Sequence, residues 1–117
     1  IEMMRDPHQS TFAFVVYPEA TPILEAYRAS EELKTLGIKP GLVFANLVLP
    51  AEQCTTGFMK ARRTMQDTYL TEIAVRFAAP VIEMPLLPHE VSGRDMLIEL
   101  GHMIYGVNAP ALARETA

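Results

Sequence analysis

The chain has 117 residues, and its 14 Asp and Glu outnumber its 10 Lys and Arg, which gives a formal net charge of −4. Half of the residues are hydrophobic and 21% are charged, a balance typical of a globular domain. The acidic balance argues against a nucleic-acid binder with a basic surface, and no apolar run approaches the ~20 residues that a membrane-spanning helix needs. The single cysteine, Cys54, excludes an internal disulfide. We therefore expect one soluble domain, residues 1–117, in the reducing cytoplasm.

The first part of the chain predicts a strand followed by a helix. Residues 10–17 (STFAFVVY) form a short apolar segment, typical of a strand that is buried on both faces of a parallel sheet. Residues 22–36 carry apolar side chains at helical spacing, and Thr21 and Pro22 suit the N-cap and the first helical position. Gly37 then supplies the left-handed residue with which many helices end.

Two further pairs of strand and helix follow. Residues 41–49 (GLVFANLVL) and 80–86 (PVIEMPL) are typical of buried strands, and residues 58–78 predict a long helix between them. Ser92 and Asp95 form an S-x-x-D capping box, which predicts a last helix that ends at Gly106. Five apolar side chains of the long helix are expected to face the core: Phe58, Met65, Tyr69, Ile73 and Phe77. Its polar side chains, among them Gln66, are expected mostly on the other face.

The order β-α-β-α-β-α predicts an α/β fold with three layers, in which helices flank a parallel sheet. In such sheets, ligands bind beyond the carboxyl ends of the strands. Glu19, Asn46 and the loop of residues 85–93 follow the predicted strands and are therefore the first candidates for a site. Residues 107–117 show no periodicity and are expected to form a disordered tail.

Asn46 interrupts an otherwise apolar strand near its carboxyl end. An amide left unpaired there would cost about 1–3 kcal/mol, so it needs a partner. The side chain both donates and accepts hydrogen bonds, which suits the edge of a purine ring, but a bond to neighbouring backbone is the simpler interpretation. For Glu25 a structural role is the leading interpretation, because a carboxylate in the first turns of a helix is favoured by the helix dipole alone.

Several kinds of site find little support in the sequence. His8, His89 and His102 are scattered, and neither H-x-x-x-H nor C-x-x-C occurs, so no metal site is expected. Cys54 has no base beside it in the sequence, which gives little support for a nucleophile. No G-x-x-x-x-G-K-[ST] motif is present, and no Gly is followed by Lys. If the chain handles a nucleotide, its residues predict the base end of the site and not the phosphate end.

Taken in order, these segments resemble the carboxyl-terminal part of the anion-transporting ATPase family. That family includes the arsenical pump-driving ATPase (ArsA) and the ATPases that target tail-anchored membrane proteins. The resemblance rests on STFAFVVYPE at residues 10–19, LEAYR at 24–28, FAN at 44–46, MQDTYL at 65–70 and MPLLPHEVSG at 84–93. It extends over about residues 6–106.

The resemblance implies the carboxyl-terminal part of a P-loop NTPase of the SIMIBI type, a homodimer that binds ATP with magnesium at the subunit interface. The phosphate loop would lie in an amino-terminal part outside this chain. The chain alone is therefore expected to hold no catalytic residue, to bind neither ATP nor magnesium, and to be inactive.

The resemblance also assigns roles to individual residues. It implies that Asn46 reads the adenine ring and that the loop of residues 85–93 covers the base. Glu19 and Glu25 are implied to contact the neighbouring subunit or its nucleotide. The nucleotide contacts that the resemblance implies are Asn46, Pro85, Leu86 and Glu90.

Departures from the family pattern leave the cargo open. Cys54 alone stands where the eukaryotic branch carries a zinc-binding C-x-x-C pair, Leu47 replaces a common Gln, and Ser92 replaces Lys or Arg. The metalloid-binding cysteines of the arsenical pump-driving ATPase have no counterpart here. The expected cargo is an arsenite-type anion delivered to a membrane pump subunit, or a hydrophobic protein. The alternative function is a non-catalytic module that dimerises or binds a partner without a phosphate loop.

Overall fold

A computed structural model describes residues 1–106. The described residues divide into two compact units, Ile1–Leu86 and a second one that begins at Leu87. The first unit contains three strands, three helices and a 3₁₀ turn at Ala51–Gln53. In chain order, its helices and strands are α1 (Glu2–Arg5), β1 (Phe12–Val16), α2 (Ala20–Thr35), β2 (Pro40–Val48), α3 (Gly57–Phe77) and β3 (Val81–Pro85). The predicted tail, residues 107–117, lies outside the described residues.

The three strands form a parallel sheet in the order β1-β2-β3, which confirms the predicted α/β class. The strand β2 is central, and Val16 on β1 lies opposite its Ala45. The pairing of β2 with β3 is regular until Ala45 faces Glu83, but the next partners are Val48 and Pro85. Because β2 advances three residues there while β3 advances two, β2 contains a β-bulge after Ala45.

The core of the first unit lies between the sheet and the helices α2 and α3. Its buried side chains are Val16, Ile23, Val43, Ala45, Val48, Ile73 and Phe77. The ring of Phe77 at the end of α3 packs against Phe14 and Tyr27, with ring centroids 5.7 and 6.2 Å away. These contacts place both helices against the same face of the sheet.

The helix α2 begins earlier than predicted, because its N-cap is Glu19 and not Thr21. The first helical hydrogen bond runs from the Ile23 amide to the Glu19 carbonyl, so Thr21 lies inside the first turn. The predicted stop at Gly37 is confirmed. Gly37 has φ +80°, and its N–H and that of Ile38 donate to carbonyls of the last turn, the pattern of a Schellman motif.

The helix α3 differs from its predicted orientation about its own axis. Its start is well defined, because the Thr56 hydroxyl accepts a hydrogen bond from the Met59 amide. Ile73 and Phe77 are buried as predicted, but Phe58 is 74% exposed and does not reach the core. Gln66 was expected mostly on the solvent-exposed face of the helix, but it is only 8% exposed.

The second unit contains one described helix, α4 (Gly93–Tyr105). Ser92 is its N-cap, but the predicted capping box is wrong, because the Ser92 side chain caps no backbone N–H. The Ser92 amide and hydroxyl contact the Met96 sulfur instead, at 3.5 and 4.0 Å. Gly106 ends the helix with φ +76°, as predicted. Leu97, one of its apolar side chains, is 60% exposed. No helix among residues 1–106 is long and apolar enough to cross a membrane.

Candidate functional site

Four of the six predicted site residues lie at or just beyond the carboxyl ends of the strands. Asn46 lies two residues before the carboxyl end of β2. Glu19 lies between β1 and α2, as the N-cap of α2. Pro85 ends β3 opposite Val48, and the Leu86 amide donates a 2.8 Å hydrogen bond to the Val48 carbonyl. Asn46 and the start of the loop after β3 therefore share one edge of the sheet, which is the arrangement that the sequence predicted.

The side chain of Asn46 is half-buried, and one of its two polar atoms is engaged. Its Oδ1 accepts a 3.0 Å hydrogen bond from the amide of the next residue, Leu47. Among the hydrogen bonds of the described residues, the Asn46 Nδ2 has no partner. A carbonyl oxygen has two lone pairs, so the side chain still offers donors and one acceptor position to a ligand. The backbone contact expected from the simpler interpretation is present, and it leaves capacity for a ligand.

Leu47, the residue after Asn46, has an uncommon backbone conformation. Its φ is +58°, in the left-handed region that a leucine adopts at a cost of about 1–2 kcal/mol. It falls within the β-bulge, between the register pairs of Ala45 and Val48. As a result, Leu47 is exposed and Val48 takes the next place in the core, whereas an unbroken strand would bury Leu47.

Gln66, on α3, is the residue of this site that the sequence reasoning missed. Its Oε1 accepts a 2.8 Å hydrogen bond from the Leu49 amide, and its Nε2 donates a 3.0 Å bond to the Leu47 carbonyl. The signal was its spacing, because Gln66 precedes Ile73 by seven residues and Phe77 by eleven, so all three share one helix face. Because Gln66 is polar, the sequence reasoning placed it on the solvent-exposed face of the helix. A side-chain amide can nevertheless be buried when both its oxygen and its nitrogen are hydrogen-bonded.

Arg63, one turn before Gln66 on α3, also contacts the end of β2. Its Nη1 donates a 2.6 Å hydrogen bond to the Leu49 carbonyl, and its Nε bonds Asp67 Oδ1 at 2.9 Å. The Glu83 carboxylate lies 4.0 Å from its Nη2. Arg63 and Glu83 border a cleft of about 240 Å³, which is lined by Val48, Leu49, Pro50, Glu52, Arg63, Glu83 and Pro85. Asn46 is not part of that lining, so the cleft and the Asn46 amide are separate features of the same edge.

The two candidate interface glutamates are both exposed, but their surroundings differ. Glu19 forms an ion pair with Arg62, with 3.6 Å between Oε1 and Nη2. Glu25 has no ion pair among the described residues and borders a shallow cleft of about 390 Å³ beside Tyr17 and Pro22. Both carboxylates are therefore accessible to a partner or a ligand.

Glu90 belongs to the second unit, and it is exposed in the segment before α4. The predicted covering loop, residues 85–93, therefore begins in the first unit and ends in the second. Cys54 is a half-buried free thiol whose Sγ lies 3.3 Å from the Pro50 carbonyl oxygen. Within residues 1–106, no group of three His, Cys, Asp or Glu side chains is placed to hold a metal ion.

The fold and the site define an α/β protein whose polar side chains gather at the carboxyl edge of a parallel sheet, the class that includes many nucleotide-binding proteins. The family whose model matches is described as anion-transporting ATPase, and the match covers residues 1–106. The chain belongs to the anion-transporting ATPase family, which confirms the resemblance stated from the sequence and places the chain in the P-loop NTPase fold.

Individual relatives agree with that family. A Halobacterium salinarum protein named as an arsenical pump-driving ATPase is 44% identical over 109 residues, which cover 92% of this chain and 17% of that protein. A protein of Aquifex aeolicus with the same kind of name is 31% identical over 93% of this chain and 28% of its own length. The ATPase get3 of Neurospora crassa is 34% identical over 86% of this chain and 30% of its own length. The chain thus spans less than a third of each of these relatives.

Proposed function

We propose that this chain is the carboxyl-terminal portion of an ATPase that couples the binding and hydrolysis of ATP to the movement of a cargo. Its own residues contribute the contact with the adenine base and part of a homodimer interface. The phosphate groups and the magnesium ion are held by a phosphate loop elsewhere in the intact protein. Family membership and the short share of each relative that the chain spans support this proposal.

The observation that carries the proposal is the hydrogen-bonding state of Asn46. Because its Oδ1 bonds the Leu47 amide, the side-chain amide cannot turn over freely, and its Nδ2 has no partner among the described residues. An Asn amide pairs with adenine by donating to N7 and accepting from the N6 amino group. Guanine carries a carbonyl oxygen at the corresponding position, so the fixed acceptor of Asn46 would face another acceptor. The arrangement therefore supports adenine selectivity.

The remaining site residues fit supporting roles in the same proposal. Pro85 and Leu86 place apolar surface beside the end of β2, where it would pack on the face of the base. Glu90 follows in the covering loop. Glu19 and Glu25 are exposed carboxylates that would contact the second subunit of a cytoplasmic homodimer or the nucleotide of that subunit. Hydrolysis needs the intact protein, because this chain lacks the phosphate loop.

The base contact is tested by calorimetry with ADP and GDP on the full-length protein and its Asn46→Ala variant. The substitution removes a polar pair at a half-buried position, so the affinity for ADP is expected to fall about 5- to 150-fold, the equivalent of about 1–3 kcal/mol. The ratio of ADP affinity to GDP affinity is expected to fall as well. Gln53→Ala is the matched control, because Gln53 is an exposed amide on the neighbouring 3₁₀ turn. Unchanged ADP affinity in Asn46→Ala would refute the adenine contact.

The coupling to hydrolysis is tested first by the coding sequence upstream of Ile1. A G-x-x-x-x-G-K-[ST] motif there, together with magnesium-dependent release of phosphate from ATP, is the expected result. A full-length protein without that motif and without hydrolysis would instead be the non-catalytic module that the sequence left as its alternative.

The cargo is tested by the rate of ATP hydrolysis with and without arsenite or antimonite. We propose an anion of this type delivered to a membrane pump subunit, because the relative with 44% identity is named as an arsenical pump-driving ATPase. Stimulation by either anion supports that cargo. No stimulation, together with stimulation by a detergent-solubilised hydrophobic protein segment, would favour a protein cargo.

A further inference from the structure

The β-bulge at Leu47 creates polar backbone groups that the sheet itself does not satisfy. In a regular parallel pair, the carbonyl and amide groups of an inner strand bond its neighbours, but the extra residue of a bulge is left out of the ladder. At this point of β2, the Leu47 carbonyl and the Leu49 amide both bond the side chain of Gln66. Because a Gln side chain carries one carbonyl and one NH₂ group, it can accept from one backbone group and donate to another, as a neighbouring strand would.

A continuous series of hydrogen bonds connects Gln66 with Asn46. The Gln66 Nε2 bonds the Leu47 carbonyl at 3.0 Å, and the amide of the same Leu47 bonds the Asn46 Oδ1 at 3.0 Å. The two bonds hold both ends of a residue whose φ is +58°. Without them, Leu47 would relax toward negative φ, and its N–H would turn away from the Asn46 side chain.

The burial of Gln66 is consistent with this function. It is one of two buried polar residues within residues 1–106, and it lies beside the core residues Val48 and Leu49. Arg63 adds a bond to the Leu49 carbonyl, so both polar groups of Leu49 are bonded by side chains of α3. The helix α3 thereby fixes the backbone from Leu47 to Leu49.

We infer that Gln66 is a positioning residue for base recognition: by holding Leu47 in its left-handed conformation, it fixes the direction of the Asn46 amide. This inference rests on the proposed function of Asn46. Gln66 contacts no base itself, and it acts only through the Leu47 peptide groups. Its loss would allow the Asn46 amide to turn over, so that the site would accept guanine nearly as well as adenine.

The test is a double-mutant cycle on the full-length protein, with ADP and GDP as probes in calorimetry. Gln66→Met keeps the length of the side chain and removes both hydrogen bonds. We expect it to lower the ratio of ADP to GDP affinity by about fivefold or more, the factor for one net hydrogen bond. Combined with Asn46→Ala, it is expected to change that ratio no further than Asn46→Ala alone. Gln53→Met is the matched control, since Gln53 is exposed.

A second variant keeps the inference testable if Gln66→Met does not fold, as judged by circular dichroism. Gln66→Glu retains an oxygen for the Leu49 amide, but it places a second oxygen against the Leu47 carbonyl, so the same loss of selectivity is expected. If a folded Gln66 variant keeps the wild-type ratio of ADP to GDP affinity, the inference is overturned. It is also overturned if the Gln66 substitution changes that ratio equally in the wild-type protein and in Asn46→Ala. Asn46→Ala that leaves ADP affinity unchanged would refute the proposed function instead, which separates the two failures.

Discussion

Two adjacent arginines of α3 give a sharp test of how the end of β2 is held. The Arg63 side chain is 25% exposed and donates hydrogen bonds to the Leu49 carbonyl and to Asp67. Arg62 forms a more exposed ion pair with Glu19, with 3.6 Å between its Nη2 and the Glu19 Oε1. A hydrogen bond from a charged donor contributes about 1.5–3 kcal/mol, and an i,i+4 ion pair adds about 0.3–0.5 kcal/mol. We expect Arg63→Met to lower the free energy of unfolding by about 2–3 kcal/mol, and Arg62→Met by less than about 1 kcal/mol.

The assay is urea unfolding of the purified protein followed by circular dichroism, at low salt and near 1 M NaCl. Salt at that concentration reduces the Debye length to about 3 Å, so the small effect of Arg62→Met is expected to vanish. Most of the Arg63→Met effect is expected to remain, because the main partner of Arg63 is the neutral carbonyl of the buried Leu49. Equal effects for the two arginines, or loss of both at high salt, would refute this account of the strand end.

Four further substitutions test a helix end, a helix interior, the core and a close contact, each by the midpoint of urea unfolding. Ala78→Gly at the end of α3 is expected to stabilise the protein by about 0.5–1 kcal/mol, because Ala78 is exposed and has φ +49°. Ala61→Gly is the comparison inside the same helix, and it is expected to destabilise the protein by about 1 kcal/mol. Ile73→Ala is expected to cost about 2–5 kcal/mol, because Ile73 is fully buried in the core. Gly41→Ala is expected to lower the midpoint, because the added Cβ would lie 2.9 Å from the Cγ2 of Thr11, which directly precedes β1. A midpoint that rises would show that the Thr11 side chain turns away at little cost.

The sequence was sufficient to predict the elements and their order, because each depends on local patterns. The parallel sheet follows from three apolar segments separated by two helices, and Gly37 marks the end of α2 with the conformation that its lack of a side chain permits. The errors lie at helix starts. Thr21 and Ser92 both carry side chains suited to capping. The helix α2 nevertheless has its N-cap two residues before Thr21, and Ser92 contacts the Met96 sulfur instead of a backbone N–H. Capping propensity indicates the region of a helix start, and tertiary contacts select the residue.

The features of the site that the sequence reasoning missed involve the bulge in β2. A strand period of two predicts that Leu47 is buried with Ala45, but Leu47 is exposed and Val48 is buried. Nothing in the local pattern of residues 41–49 indicates an inserted residue, because the segment is apolar on both sides of Asn46. For the same reason, Gln66 was assigned by its polarity, since the backbone groups that it bonds are unpaired only when the bulge is present.

The bulge also explains why a polar residue is tolerated at the end of a central strand. In a regular ladder, the Leu47 amide would bond a neighbouring strand, and the Asn46 amide would have to be satisfied elsewhere. The bulge instead turns the Leu47 N–H toward Asn46 Oδ1, and Gln66 satisfies the carbonyl on the far side of the same residue. The strain of about 1–2 kcal/mol at Leu47 is offset by these bonds. Replacing Leu47 with Gly removes the strain without removing the bonds, so we expect unchanged base selectivity, in contrast to the loss expected for Gln66→Met; a fall in selectivity in Leu47→Gly would show that the leucine side chain itself shapes the site.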